Sequence, residues 1–208
     1  MEERFLQYAR EYLRARDADR RGRPGQSFRT RSSHLARVLM WVNRLIEAEG
    51  ADDPEALRLA ASFHDVGYAH GEENHAQSGA RILREYAATE GLDEKLVKRA
   101  AFLIAEHSKK EEWLSRPDAP RDLVLLMEAD LLDEEGAMGL VLDCMTAGEL
   151  GAAGYEDAYE QMRRYEPKRL SHNPMVTQTA RAYWAKKQRI IRMFLEAFSQ
   201  DMGRSDET

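Results

Sequence analysis

Three histidines and one aspartate occupy positions that helical spacing assigns to the buried faces of four separate segments. They are His34, His64, His107 and Asp130. A residue in register with apolar neighbours three, four and seven positions away points toward the face that a helix buries. Burying a carboxylate without a cation or several donors is costly. One explanation covers all four positions, namely that these segments converge on a metal ion.

Two imidazoles and two carboxylates form the predicted metal-ligand set: His34, His64, Asp65 and Asp130. Such a set suits a borderline or hard divalent ion, that is Mn²⁺, Fe²⁺, Ni²⁺, Co²⁺, Zn²⁺ or Mg²⁺. Four protein ligands around a six-coordinate ion leave positions for water and substrate oxygens. Taken singly, each residue also has an ordinary explanation, because a lone histidine can be a satisfied core residue and an aspartate can belong to a helix end.

The elements that must position these side chains are predicted to be helices almost throughout. The sequence has no convincing two-residue alternation and no strand-like run rich in Val, Ile or Thr. We predict an all-α bundle of about eight or nine helices in a single domain over residues 1–208. Its core would span about 30–198, with an N-terminal helix over 1–17 and a frayed tail over 203–208. Pro174 is predicted to open the last long helix.

Two further predictions concern segments away from the ligand set. Residues 17–30 are rich in Arg, Gly and Pro and are predicted to form a loop. Within it, the segment Arg20–Arg31 could be a mobile lid over the site or merely a solvated loop. Cys144, the single cysteine, lies among Val141, Leu142 and Met145 and is predicted to be a buried, inert thiol.

Composition restricts the class of partner. The 208 residues carry a formal net charge of −6, whereas a protein that grips nucleic acid by its backbone usually needs a basic face. A small anionic substrate remains compatible, because a metal ion and a few basic residues can reverse the sign inside a pocket. No apolar run approaches a membrane span, and the N-terminus lacks a signal-peptide core. We expect a cytoplasmic protein with no membrane partner and no stable nucleic-acid complex.

The ordered set of motifs resembles the HD-domain metal-dependent phosphohydrolase superfamily. That pattern has a histidine, a His-Asp pair some thirty residues later and a distant aspartate, which here are His34, His64-Asp65 and Asp130. The flanking segments that match are His34-Leu-Ala-Arg-Val-Leu39, Ala60-Ala-Ser-Phe-His-Asp-Val-Gly-Tyr68 and Glu128-Ala-Asp-Leu-Leu-Asp-Glu-Glu-Gly-Ala137. In the last segment, Asp133 is a candidate to contact a metal ligand without binding the ion itself. The resemblance covers residues 30 to 198 and implies an HD-type helical fold with a divalent metal.

The chain is similar to small stand-alone bacterial and archaeal members, some of which split nucleoside triphosphates into a monophosphate and pyrophosphate. Those members tend to have one histidine about ten residues after the His-Asp pair and another near the end of the next long helix. His75 and His107 fit these positions. Ser108 stands where many relatives have a second histidine. This departure argues against a two-metal site and predicts that His75 and His107 flank a single ion without binding it.

The ligand set and the resemblance together imply hydrolysis by metal-activated water. Asp65 would bind the ion and also orient or deprotonate the water. His75 and His107 would stabilise charge on the phosphate or protonate the leaving group. Arg31 and Tyr68 would join these histidines in binding the substrate.

The lysines near His107, Lys109 and Lys110 among them, are predicted to lie mostly on solvated faces.

Replacing Asp65 with asparagine is expected to relieve repulsion between clustered carboxylates. The metal-free variant should therefore melt no lower than the metal-free wild type.

The predicted function is that of a metal-dependent phosphohydrolase acting on a nucleotide or another small phosphate ester or anhydride. A nucleoside triphosphate pyrophosphohydrolase is one form of that activity. Two alternatives remain open at this point. One is a phosphodiesterase for cyclic or linear nucleotides, and the other is a non-catalytic, metal-binding regulatory module. Product release from a nucleotide panel with added manganese separates the three.

Overall fold

The computed structural model describes residues 2–20, 30–71, 73–170 and 172–204. Over these residues the chain forms helices and no strand, which confirms the all-α prediction. Nine of the helices have seven or more residues, and a tenth has four. The helices are α1 (Glu2–Arg20), α2 (Arg31–Glu49), α3 (Pro54–Phe63), α4 (His75–Glu90), α5 (Glu94–Glu106), α6 (Lys110–Trp113), α7 (Arg121–Asp133), α8 (Ala137–Glu149), α9 (Tyr155–Leu170) and α10 (Gln178–Asp201). A 3-10 turn, Val66–His70, lies between α3 and α4.

The main apolar core lies between the helices that carry the predicted ligands. Helix α2 packs against α3 and α7, α3 packs against α5, and α5 packs against α4. Leu35 and Val42 of α2, Leu57 and Ala60 of α3 and Leu126 of α7 are all fully buried in this core. Burial of these apolar faces fixes the rotation of each helix about its axis. The polar residues in the same register are therefore turned inward as well.

The end of α3 brings the His-Asp pair against the start of α4. Asp53 caps α3 by accepting a hydrogen bond from the Ala56 backbone at 3.0 Å, and α3 ends at Phe63, directly before His64. The 3-10 turn then packs so tightly on α4 that a Cβ on Gly67 would collide with the His75 carbonyl. Only glycine permits this approach, which places His75 beside the pair.

Helix α10 starts later than the sequence indicates because a buried carboxylate holds the residues before it. Glu128 accepts hydrogen bonds from the backbone N–H groups of Val176 at 2.6 Å and Thr177 at 2.8 Å. The chain is therefore extended there, and α10 begins at Gln178 with Thr177 as its cap. The prediction that Pro174 opens the helix is wrong for this reason.

Two other expectations change in the structure. Helix α1 continues through the first part of the predicted loop to Arg20, while residues 21–29, which make up most of the possible lid, lie outside the described residues. Cys144 is exposed rather than buried. Helix α8 carries more apolar side chains than its neighbours cover, so that Val141 and Met145 are exposed too. Within the described ranges, no helix has both the length and the apolar character to span a membrane.

Candidate metal centre

The four predicted ligands meet where α2, the end of α3 and α7 come together. The Nε2 atom of His34 lies 3.3 Å from Nε2 of His64, 3.0 Å from Oδ1 of Asp130 and 3.5 Å from Oδ2 of Asp65. His64 Nε2 lies 3.7 Å from Asp65 Oδ1 and 3.8 Å from Asp130 Oδ1. Ligand atoms of His34, His64 and Asp130 all fall within 4.8 Å of one another. The structure thus brings together all four side chains.

Hydrogen bonds behind the two imidazoles fix which nitrogen faces the cluster. His64 Nδ1 lies 2.9 Å from the carbonyl oxygen of Ala61, which can only accept, so this nitrogen carries the hydrogen. His34 Nδ1 lies 2.7 Å from Oδ2 of Asp133. Both Nε2 atoms are therefore directed at the carboxylates. Histidines that bind metals typically have this arrangement, in which the outer nitrogen donates to a carbonyl or a carboxylate.

The electrostatics of the cluster favour a bound cation. Burial lowers the pKa of His64 to about 4, so its ring is neutral and its Nε2 is an acceptor. Burial opposes ionisation of Asp130, but Lys110 and His34 hold its pKa well below the usual range. Burial also disfavours the charged form of His34, yet its hydrogen bonds with Asp130 and Asp133 raise the pKa to about 10. A proton on His34 thus occupies the space between acceptors, and a metal ion would displace it.

The donor set fits a divalent ion of the predicted kind. It offers two imidazole nitrogens and two carboxylates, all of which must be deprotonated to act as ligands. Burial opposes the ionisation of Asp65, but the positive charges of Arg31 and His34 help to keep its pKa well below the usual range. That these four residues bind one ion stays a prediction.

His75 and His107 lie beside Asp65. Their Nε2 atoms are 3.8 Å and 3.5 Å from Asp65 Oδ1. His107 Nδ1 contacts the Ile104 carbonyl oxygen at 2.7 Å, so its Nε2 also faces the cluster. His64, Asp65 and His107 form a second group whose ligand atoms lie within 4.8 Å of one another. His107 is therefore placed where it could also contact an ion, and that it is not a ligand stays a prediction.

Arg31 and Tyr68 complete the surroundings of Asp65. Arg31 Nη1 donates to Asp65 Oδ2 at 2.7 Å. Its guanidinium lies over the Tyr68 ring, 4.0 Å from the centroid. Tyr68 in turn stacks on His75 with the ring centroids 4.2 Å apart. The residues expected to bind substrate therefore form one continuous group next to the predicted ligands.

Two basic residues of the site were not identified from the sequence. Lys110 was grouped with solvated lysines, but its Nζ lies 2.7 Å from Asp130 Oδ2. Its neighbour Lys109 lies at the surface and pairs with Glu106 at 2.9 Å. Arg37 donates to Asp133 through Nε at 2.7 Å. Arg37 falls one turn after His34, a spacing that could have suggested its position, whereas no sequence signal distinguishes Lys110 from Lys109.

Asp133 should support metal binding without contacting the ion. Replacing it with asparagine removes the charge behind His34 Nδ1, so we expect the dissociation constant for Mn²⁺ to rise by about 10- to 100-fold. Isothermal titration calorimetry of the metal-free protein measures this. Asp122→Asn is the matched control, since Asp122 is also buried and also pairs with an arginine, Arg99, at 2.6 Å. Unchanged Mn²⁺ affinity in Asp133→Asn, or an equal loss in the control, would contradict the role given to Asp133.

Known proteins share the sequence pattern and the fold. The HD domain family model matches residues 31–135. No curated protein matches the sequence. The fold is similar to that of a predicted HD superfamily hydrolase from an uncultured Thermotogales bacterium, with TM-score 0.66 and 20% identity over 96% of this chain and 92% of that chain.

Two structures from Bacillus species are similar as well. Bacillus subtilis YpgQ, solved in complex with ADP, has TM-score 0.66 and 17% identity over 96% of this chain and 94% of that chain. An HD-superfamily hydrolase from Bacillus thuringiensis has TM-score 0.63 and 17% identity over 99% of this chain and 100% of that chain. At these identities the similarity shows that the fold is shared, and it shows nothing more about this chain.

Proposed function

This chain belongs to the HD-domain family, and from that premise we propose that it is a metal-dependent phosphohydrolase for a small phosphorylated substrate. The observation that carries the proposal is that the Nε2 atoms of His34 and His64 lie next to the carboxylates of Asp65 and Asp130. Because basic side chains stand directly beside those carboxylates, the site as a whole suits an anionic substrate.

His34, His64, Asp65 and Asp130 would hold one divalent ion. When bound, such an ion polarises a phosphoryl oxygen and lowers the pKa of a water molecule. Asp65 has a further task that its contacts support. Arg31 fixes its Oδ2 at 2.7 Å, while Oδ1 faces His75 and His107. A carboxylate held in this way can orient the attacking water and accept its proton.

The remaining polar groups would act on the substrate. The Nε2 atoms of His75 and His107 lie on the Oδ1 side of Asp65, where they can stabilise charge on a phosphate or protonate the leaving group. Arg31 would bind a phosphate oxygen by a charge-assisted hydrogen bond. Tyr68, which lies between Arg31 and His75, would provide an aromatic surface for the substrate.

A nucleotide is the substrate class that we propose, hydrolysed as a triphosphate to pyrophosphate or as a phosphomonoester. Two observations support it, namely the aromatic and cationic surroundings of Asp65 and the ADP complex of the similarly folded YpgQ. A cyclic or linear nucleotide phosphodiesterase is the runner-up of the same reaction type.

A panel assay tests the proposal. The metal-free protein is incubated with nucleoside triphosphates, monophosphates and cyclic nucleotides, with and without Mn²⁺, and the phosphate, pyrophosphate, nucleoside and nucleoside monophosphate products are quantified. We expect metal-dependent release of pyrophosphate or phosphate, which a chelator abolishes. Hydrolysis of cyclic nucleotides alone would favour the phosphodiesterase. If no nucleotide is cleaved with Mn²⁺, Mg²⁺, Co²⁺, Ni²⁺, Zn²⁺ or Fe²⁺ although calorimetry detects binding of the metal, the result would contradict the nucleotide substrate and favour a non-catalytic metal-binding module.

A further inference from the structure

Lys110, the first residue of α6, contacts one of the two carboxylate oxygens of Asp130, and the other oxygen faces His34. Its Nζ lies 2.7 Å from Oδ2, whereas Oδ1 faces His34 Nε2 at 3.0 Å. Asp130 would therefore offer only Oδ1 to an ion. An outer hydrogen bond of this kind orients a metal-binding carboxylate, so positioning of Asp130 is the simplest role for Lys110. Two further observations go beyond that role.

The first observation is where Lys110 lies in the cluster. The side chains of His34, His64, Asp65 and His107 are at most 4% exposed. Those of Asp130 and His75 are 15% and 16% exposed, and those of Arg31 and Lys110 are each 25% exposed. Solvent thus reaches the cluster at Arg31 and at Lys110. A substrate entering from solvent would meet Arg31 and Lys110 there.

The second observation is the balance of charge. A divalent cation and the carboxylates of Asp65 and Asp130 together sum to zero, and Asp133 is balanced by Arg37 at 2.7 Å. Arg31 and Lys110 then add two positive charges, and Glu134, which lies 4.0 Å from Arg37 and interacts with Arg31, offsets one of them. A phosphate group carries up to two negative charges near neutral pH. The remaining positive charge favours an anionic phosphate group, and without Lys110 no excess would remain.

The turn between α5 and α6 is fixed, so the position of Lys110 is not accidental. Glu106 accepts hydrogen bonds from Lys109 Nζ and from Trp113 Nε1, both at 2.9 Å. Trp113 also packs against the main apolar core. Glu106 thereby holds the residue before α6 and the last residue of α6, and the adjacent Lys109 and Lys110 contact different partners. Lys109 is committed to Glu106, and Lys110 to the predicted metal centre.

We infer that Lys110 is a phosphate-binding residue, whose ammonium holds Asp130 Oδ2 while the site is free of substrate and binds a phosphate oxygen when substrate enters. The inference rests on the proposed function, because it takes the metal centre as the place where a phosphate binds. It adds Lys110 to the residues proposed to bind the substrate. The site then has two cations, Arg31 beside Asp65 and Lys110 beside Asp130.

The test compares Lys110→Met, Lys110→Arg and the control Lys109→Met with wild type. Calorimetry measures the binding of inorganic phosphate to the Mn²⁺-loaded proteins and, separately, of Mn²⁺ to the metal-free proteins. A charge-assisted hydrogen bond is lost in Lys110→Met, so we expect phosphate affinity to fall about 10- to 100-fold. Lys110→Arg should recover part of this loss, and Lys109→Met should stay within about twofold of wild type. Mn²⁺ affinity in Lys110→Met should not fall, because a positive charge next to the ion has been removed.

Three results would overturn the inference. The first is wild-type phosphate affinity in Lys110→Met, and the second is a wild type that binds no phosphate in the presence of Mn²⁺. The third is weaker Mn²⁺ binding in Lys110→Met with unchanged phosphate binding, which would make Lys110 a positioning residue for Asp130. Failure of the proposed function is a separate result: wild type would bind phosphate through Lys110 and yet cleave nothing in the substrate panel.

Discussion

Turnover is expected to fall by about 10²–10³-fold when Asp65 is replaced with asparagine, even with Mn²⁺ in excess. The amide keeps the size of the carboxylate but loses its charge and its capacity to accept a proton. In the structure both oxygens of Asp65 are engaged, one with Arg31 at 2.7 Å and the other toward His75 and His107. The variant should therefore lose both metal affinity and the orientation of the water.

The structure changes the expected melting temperature of the metal-free Asp65→Asn protein. From the sequence, relief of repulsion between carboxylates predicted a melting temperature no lower than that of wild type. Arg31 and the protonated His34 lie 2.7 Å and 3.5 Å from Asp65 Oδ2 and stabilise its charge. Removing one partner of a buried ion pair leaves the other uncompensated. We now expect the metal-free variant to melt at a lower temperature than the metal-free wild type.

Paired measurements test both parts of this prediction. Melting curves with and without Mn²⁺ give the metal-induced shift, which should shrink in the variant because its metal affinity is lower. Product release from the best panel substrate gives turnover. Wild-type turnover together with an unchanged metal-induced shift would remove Asp65 from the site. A metal-free melting temperature at or above that of wild type would instead show that repulsion between the clustered carboxylates outweighs the ion pairs of Asp65.

His64→Asn and His107→Asn should separate a metal ligand from a residue that acts on the substrate. Asparagine can still donate an N–H to the carbonyl that each histidine contacts, Ala61 for His64 and Ile104 for His107, but it lacks Nε2. We expect His64→Asn to lose Mn²⁺ affinity by more than about 100-fold, beyond the loss from an outer partner. Its turnover should then be abolished at any practical Mn²⁺ concentration.

His107→Asn should behave differently if His107 acts on the substrate alone. Mn²⁺ affinity should stay within about threefold of wild type, while turnover falls by about 10²–10⁴-fold through loss of a general acid. Elemental analysis of the metal-loaded proteins gives the number of ions per chain, and we expect one in wild type and in His107→Asn. Two ions in wild type, with one missing from His107→Asn, would show that His64, Asp65 and His107 bind a second ion.

The sequence by itself determined the class of fold and which way two of the ligand-bearing helices face. The apolar residues around His34 and His64 repeat with helical spacing, and burial of those apolar faces dictates the inward direction of both histidines. Helix α7 is buried at every position from Asp122 to Ala129, so spacing alone does not select the face on which Asp130 lies. Convergence of the four side chains followed because a buried acceptor cluster without a cation is unfavourable. These inferences depend on local periodicity and on general energetics, and both can be read from a single chain.

Tertiary structure decided the features that depend on contacts distant in sequence. Lys109 and Lys110 are adjacent and chemically identical, and only the Glu106–Trp113 contact that orients α6 directs one to the surface and the other to Asp130. The start of α10 likewise depends on Glu128, which lies 48 residues before Val176. Cys144 stays exposed although its Sγ lies 3.8 Å from Met162 Sδ of α9, so this one contact does not cover it. A helical pattern specifies which face of a helix is apolar, but the packing partner decides which side chains are covered and which charged groups meet.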